Sequence, residues 1–232
     1  MLRQGHEVAL YSYGPVDGVP DGVEVRDASD VLAEDRIIRH SSGSPSLFSN
    51  WFRYELQRRA LGTWIDCDIY LLSPLDGEAA YLFGEEEAGR INTGILRFPP
   101  DSPLLEPLLG LFEERSVPPW LPPRARIAAW LRLLSTGRSG LSHMPWGSAG
   151  PKALSFLARR HGLDRWARPP EAFCPARWQD ALWITDPAIR LEDVAGPATV
   201  AVHLWNERIK AVKDGPAAPG SFLARLQAEG RR

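Results

Sequence analysis

The stretch Phe48–Pro74, FSNWFRYELQRRALGTWIDCDIYLLSP, decides how the rest of the chain is read. Phe48, Phe52, Leu56 and Ala60 recur at every fourth position, which predicts an amphipathic helix with that set as its buried stripe. Asn50, Arg53 and Gln57 fall off the stripe. Ser44 followed by Pro45 has the N-cap and first-turn chemistry of a helix start, and Gly62 has that of a C-cap. A short apolar strand is expected over Thr63–Asp66, closed by Asp66-Cys67-Asp68. The helix thereby delivers an amide and a cation to the place where the strand delivers two carboxylates. Such a grouping suits a divalent ion that bridges an anionic ligand, with Asn50 and Arg53 left to grip the rest of that ligand.

The two carboxylates point the same way if the strand persists, or reach one ion across a turn. Mg²⁺ and Mn²⁺ accept such hard oxygen ligands and keep positions open for phosphate oxygens. An Asp-x-Asp tripeptide alone is weak, since a chain of this composition holds roughly one by chance. Its place at the carboxyl end of an apolar strand, where open α/β sheets bind ligands, strengthens it. For Arg53 the plainer alternative is a solvated helix face, or an ion pair with Glu55 or Asp66. His203 closes the apolar run TVAVHLW and is either a third metal ligand or a core or capping histidine. Trp205, just beyond, packs a sugar or nucleoside face or simply the core, and Asn206 is a further candidate contact. Gly150-Pro151 opens a helix after a flexible loop, and helix N-termini favour anions, which makes Gly150 a candidate as well. Cys67, between two carboxylates, has its thiolate disfavoured and is no nucleophile.

Working outward, Glu7–Tyr13 and Val23–Val25 read as strands and Asp27–Glu34 as a short helix. Ala79–Phe83 and Ile91–Phe98 read as further strands, and Leu104–Glu114 as a helix. The proline-rich VPPWLPP, Val117–Pro123, is a rigid connection to a helix over Arg124–Leu134. A Gly/Ser-rich loop, a helix over Pro151–His161, a strand over Ala198–Leu204 and a closing helix over Ser221–Glu229 follow. Strands alternating with helices predict an α/β fold in a single domain, with 1–100 as its α/β core and 101–232 as a more helical part.

Composition bounds the function. Hydrophobic residues at 44% and charged residues at 24% are those of a soluble globular protein, and 232 residues supply one sizeable core. A net charge of -2 offers no general attraction to nucleic acid or to an anionic membrane. No apolar run reaches the roughly 20 residues of a membrane span. Two cysteines without ligand spacing, and a start lacking a signal-peptide core, point to a reduced, cytoplasmic protein. Nine tryptophans are compatible with sugar-stacking surfaces, although core packing is their commoner use.

Taken in order, GHEVALYSY, ASDVLAEDRI, FSNWFRYEL…LGTWIDCDIYLLSPLD, INTGILRFPPDSPLL, WGSAGP and AVHLWNERIK resemble the bacterial GT-A-type glycosyltransferases with a DXD sugar-binding motif. In their core these are similar to yeast mannosyltransferases and the large clostridial glucosylating toxins. The resemblance implies a GT-A, Rossmann-like sheet flanked by helices that binds a nucleotide-sugar, with a helical C-terminal part enclosing donor and acceptor. It implies Asp66 and Asp68 as the DXD pair, one reaching ribose or sugar and the other a Mn²⁺ or Mg²⁺ ion. It also implies Arg53 and Asn92 at the donor sugar, and His203 as the residue completing the metal site. Two departures stand out. Asn50 occupies the helix position where the family usually has aspartate, so that a group that both donates and accepts replaces one that only accepts. The first apolar strand of the family, ending near Trp-Gly, is not found ahead of GHEV, which is expected to leave a sheet edge open.

The function expected is therefore a metal-dependent, retaining transfer of a hexose from a UDP-sugar to a carbohydrate or other hydroxyl acceptor. The first rival is a degenerate homologue that binds sugar or a partner without turnover. The second is a phosphohydrolase with an aspartate nucleophile, for which the required later lysine and acidic pair are not evident.

Overall fold

A computed structural model describes residues 1–230. The fold is mixed α/β: β1 (Val8–Ser12), β2 (Val23–Asp27), α1 (Ser46–Arg58), β3 (Trp64–Ile65), β4 (Ile69–Leu71), β5 (Glu85–Glu87), β6 (Arg90–Ile91), β7 (Ile95–Leu96), α2 (Leu105–Leu109), α3 (Pro123–Thr136), α4 (Pro151–Arg160), α5 (Pro170–Phe173), α6 (Leu191–Val194), β8 (Ala201–His203), α7 (Asn206–Ile209) and α8 (Phe222–Glu229). The final two residues of the expected 1–232 domain lie outside the described residues.

The strands pair in twos. β1 and β2 are parallel, whereas β3 with β7, β4 with β8 and β5 with β6 are antiparallel. Among the described residues no sheet is wider than two strands, so the expected continuous sheet is replaced by short pairs set against helices. The expected strand at Ala79–Phe83 is reduced to one bridge, Leu82 with Arg97. Ile91–Phe98 is interrupted because the Asn92 side chain accepts the Gly94 N–H at 2.6 Å and bends the chain there. Asp27–Glu34 holds one short 3₁₀ turn, Ala28–Asp30, instead of a helix, capped by the Asp27 carboxylate on Ser29 N, and a second turn, Glu34–Arg36, starts only at its last residue. β4 was not anticipated, because three apolar residues after an acidic turn carry too little pattern.

Helix α1 is buried on nearly every side. Ten of its 13 residues are buried, including Asn50, Arg53, Glu55 and Gln57. The amphipathic expectation is thus corrected, and Ala60, assigned to the buried stripe, is exposed beyond the helix end. Buried polar groups need partners. Gln57 finds them by donating to Gly62 O at 3.1 Å and accepting from Phe98 N at 3.1 Å. Glu55 accepts from Arg58. Trp51 stacks on Phe112 with ring centroids 5.0 Å apart, joining α1 to the 3₁₀ turn after α2. Leu105 and Leu108 of α2 and Leu154, Leu157 and Ala158 of α4 complete this core. A second and a third cluster line the two sides of the β4–β8 pair, through Phe173 and Leu82 on one and Trp183 and Phe222 on the other.

The end of α1 also differs from expectation. Its reversal occurs at Ala60, which takes the left-handed φ of 52°, with Leu61 N bonded to Leu56 O and Ala60 N to Gln57 O. Gly62 lies two residues past Ala60. The two paired amides are those of a Schellman ending, which usually places glycine at the left-handed position. Ala60→Gly should therefore stabilise the protein by about 0.5–1 kcal/mol, read as a raised urea midpoint with an unchanged slope.

Candidate metal centre

Asp66 and Asp68 occupy the turn between β3 and β4. The strand does not persist through them, so the across-a-turn geometry applies. The turn is pinned at three points: Asp66 N donates to Gly94 O at 2.7 Å, Ile69 N to Asp66 O at 3.1 Å, and Leu204 N to Asp68 O at 2.8 Å. The β3–β7 and β4–β8 pairs therefore meet at this turn. The register that sets Ile69 opposite His203 also sets Asp68 beside the end of β8.

Asp66 is aimed by its neighbours. Its Oδ1 accepts from Trp64 Nε1 at 2.7 Å and lies 3.1 Å from an Arg53 Nη. The guanidinium of Arg53 sits 4.9 Å from the Trp64 ring centre, so cation, indole and carboxylate form one unit. Arg53 is only 5% exposed, and it also donates to Ser49 O, Ser49 Oγ and the Thr93 carbonyl. With five N–H donors in all, at most one remains for a ligand. Its contact to Asp66 is the ion pair that the sequence offered as the plainer alternative.

Asp68 meets His203. Asp68 Oδ2 lies 3.3 Å from His203 Nε2 and accepts from Asn206 N at 2.8 Å. Burial opposes ionisation of Asp68, but the histidine and the backbone N–H outweigh it and hold the carboxyl below its usual range. His203 is itself 6% exposed, with its ring stacked on Trp205 at 3.9 Å and its Nδ1 3.9 Å from Cys174 Sγ. Trp205 holds a left-handed φ of 55° and donates from Nε1 to Ala176 O at 2.9 Å, which locks its indole over the imidazole. Asn206 contributes its backbone N–H here, while its side-chain oxygen accepts from Lys213.

The remaining candidates serve as scaffold. Asn92 donates to Glu86 at 2.7 Å and accepts from Gly94 N, so its amide shapes the loop facing Asp66. Gly150 lies at the start of α4 against Asn50, where an added Cβ would come within 3.0 Å of both amide heavy atoms. Tyr54, fully buried, donates to Ala149 O at 2.9 Å beside it. These contacts dock the WGSAG loop on α1. Trp64, Thr93, Ser49 and Cys174 were missed in the sequence. For Trp64 the signal was available, since two residues before Asp66 on a strand it shares the same face. Cys174 had none, being 29 residues from His203 in the chain.

One ligand atom each from Asp66, Asp68 and His203 lies within 4.8 Å of the others. Cis ligands at metal–oxygen distances of roughly 2.1 Å are about 3 Å apart, close to the Asp68–His203 separation. Two carboxylates and an imidazole suit Mn²⁺ better than Mg²⁺, which prefers oxygen alone. The residues fit a divalent ion with small side-chain adjustments. Partial desolvation and the two flanking carboxylates push the Cys67 thiol up, in line with its exclusion as a nucleophile. A cavity of about 460 Å³ lies elsewhere, lined by Arg36, Trp51, Arg58, Arg59 and Phe112.

Compared with known proteins, the chain matches no protein-family model, no curated protein and no solved structure.

Asp68 carries a pH signature. A carboxyl whose folded pKa is depressed adds stability that is complete above its unfolded value, about 3.9, and is lost as the pH falls through the folded value. Asp68→Asn should cost about 1–3 kcal/mol between pH 5 and 7. Thermal melts of the two metal-free proteins should converge below about pH 4 as that contribution disappears.

Proposed function

We propose that the chain is a metal-dependent glycosyltransferase that moves a hexose from a nucleoside diphosphate sugar, a UDP-sugar, to a carbohydrate or other hydroxyl acceptor. The observation that carries this reading is the convergence of the Asp66–Asp68 turn and His203, from two widely separated chain segments, with their ligand atoms within 4.8 Å of one another. An acidic pair held by this much second-layer bonding gains most from a cation between its members. Asp68 and His203 would hold a Mn²⁺ or Mg²⁺ ion together with Asp66. When bound, that ion would supply Lewis-acid neutralisation of the departing diphosphate. Arg53 then acts by aiming Asp66, and Asn50 by fixing the loop around Gly150, with Asn92 shaping the opposite wall. Retention of configuration follows from the family resemblance and a cytoplasmic location from the cysteine usage, and both belong to the same proposal.

A second reading is favoured by one observation: among the described residues the strands form only pairs. A GT-A donor site rests on a continuous sheet, so a degenerate homologue that binds without turnover fits the same chemistry. The phosphohydrolase is weaker, because the Asp66 carboxylate is already engaged by Arg53 and Trp64.

Calorimetry with UDP and a panel of UDP-sugars, in Mn²⁺ and in chelator, tests the site. Metal-dependent binding is expected, weakened at least about tenfold in Asp68→Ala and in His203→Ala, a loss of about 1.4 kcal/mol or more. Donor hydrolysis or transfer in the same samples separates the enzyme from the degenerate copy. A folded protein that binds neither metal nor nucleotide would remove the enzyme and leave the degenerate copy in front.

A further inference from the structure

Helix α3 presents an apolar face that nothing among the described residues covers. Ile127, Trp130, Leu131 and Leu134 are 60%, 50%, 63% and 80% exposed. Their spacing is one helical stripe. The opposite side rests on the protein through Ala129, which is 3% exposed, and through Arg132, whose stem lies over Gly140. Scattered exposed leucines are ordinary on a protein surface, but four large apolar side chains on one face of one helix are not.

The charges around the stripe say what covers it. From Arg115 to Leu163 the chain holds no aspartate or glutamate, while it carries Arg115, Arg124, Arg126, Arg132, Arg138 and Lys152 among its basic residues. On the 100° helical wheel Arg124 and Arg126 border the stripe on its two sides, and both are exposed. Among the described residues neither joins an ion pair, whereas Arg138 is taken by Glu114 at 2.6 Å. The helix is held rigidly, by prolines at its start and by Gly137 in the left-handed region at its end. Pairing with a second copy of α3 would set these arginines against a helix with no acid to receive them.

We propose that α3 is a docking surface for an anionic lipid bilayer. The helix lies flat in the headgroup layer, its Ile-Trp-Leu-Leu stripe turned toward the acyl chains and Arg124 and Arg126 on lipid phosphates. No helix among the described residues is long and apolar enough to cross a membrane, and this one lies on the surface only. The proposal stands independently of the glycosyltransferase reading.

Vesicle flotation tests it. The purified chain is mixed with phosphatidylcholine vesicles, alone or with an equal part of phosphatidylglycerol. It is compared with Ile127→Glu/Leu131→Glu and with Arg124→Gln/Arg126→Gln, all three melted to verify that they fold. The native chain should float with the anionic vesicles and at least about tenfold less with the neutral ones. The glutamate pair should stay at the bottom. The glutamine pair should bind roughly tenfold or more weakly and lose most of the salt sensitivity. Absence of flotation, or flotation equal in all three proteins, overturns the proposal. A native dimer that the glutamate pair converts to monomer, with no vesicle binding, overturns it too and assigns the face to a second copy.

Discussion

The buried guanidinium of Arg53 holds the centre of this protein together. It bonds the backbone and hydroxyl of Ser49 on its own helix, the Thr93 carbonyl and the Asp66 carboxylate, and packs on Trp64. A cation withdrawn from water is tolerable only when it is paired and fully bonded, and leaving one such charge unpaired costs about 3–5 kcal/mol. Helix α1, the β3–β4 turn and the 92–94 loop therefore have one mutually satisfactory arrangement. Where that arrangement places the turn, it places Asp66 and Asp68 as well.

The second tie is the β4–β8 register. Two three-residue strands are weak alone, but they are buried between two apolar clusters, and their ends carry Asp68 and His203. Trp205 then holds the imidazole from above in a backbone conformation that a bulky residue seldom adopts. Such strain persists where the surroundings over-determine it, here through the bond to Ala176 and the hydrogen bond from Asn206 to Asp68. Packing energy from the apolar clusters thus keeps two like charges close together. That is chemistry suited to a cation, not to a nucleophile.

Net charge concealed a feature of the surface. A total of -2 describes a chain in which acids and bases balance on average, yet the segment around α3 holds bases only. Long-range attraction depends on that local pattern within a Debye length of about 10 Å, not on the sum.

The sequence by itself determined the helix from Ser46 onward, the apolar segments around it, and Asp66, Asp68 and His203 as residues whose chemistry suits a metal. Helical periodicity is a local property, and carboxylates and imidazoles announce their chemistry wherever they stand. Only the tertiary structure decided that Arg53 faces inward, that Ala60 instead of Gly62 reverses the chain, and that the strands pair in twos. It alone brought His203 to Asp68, across 135 residues, by the register of β4 and β8. Partners chosen at such range depend on competing burial of the whole chain, on which no single segment carries information.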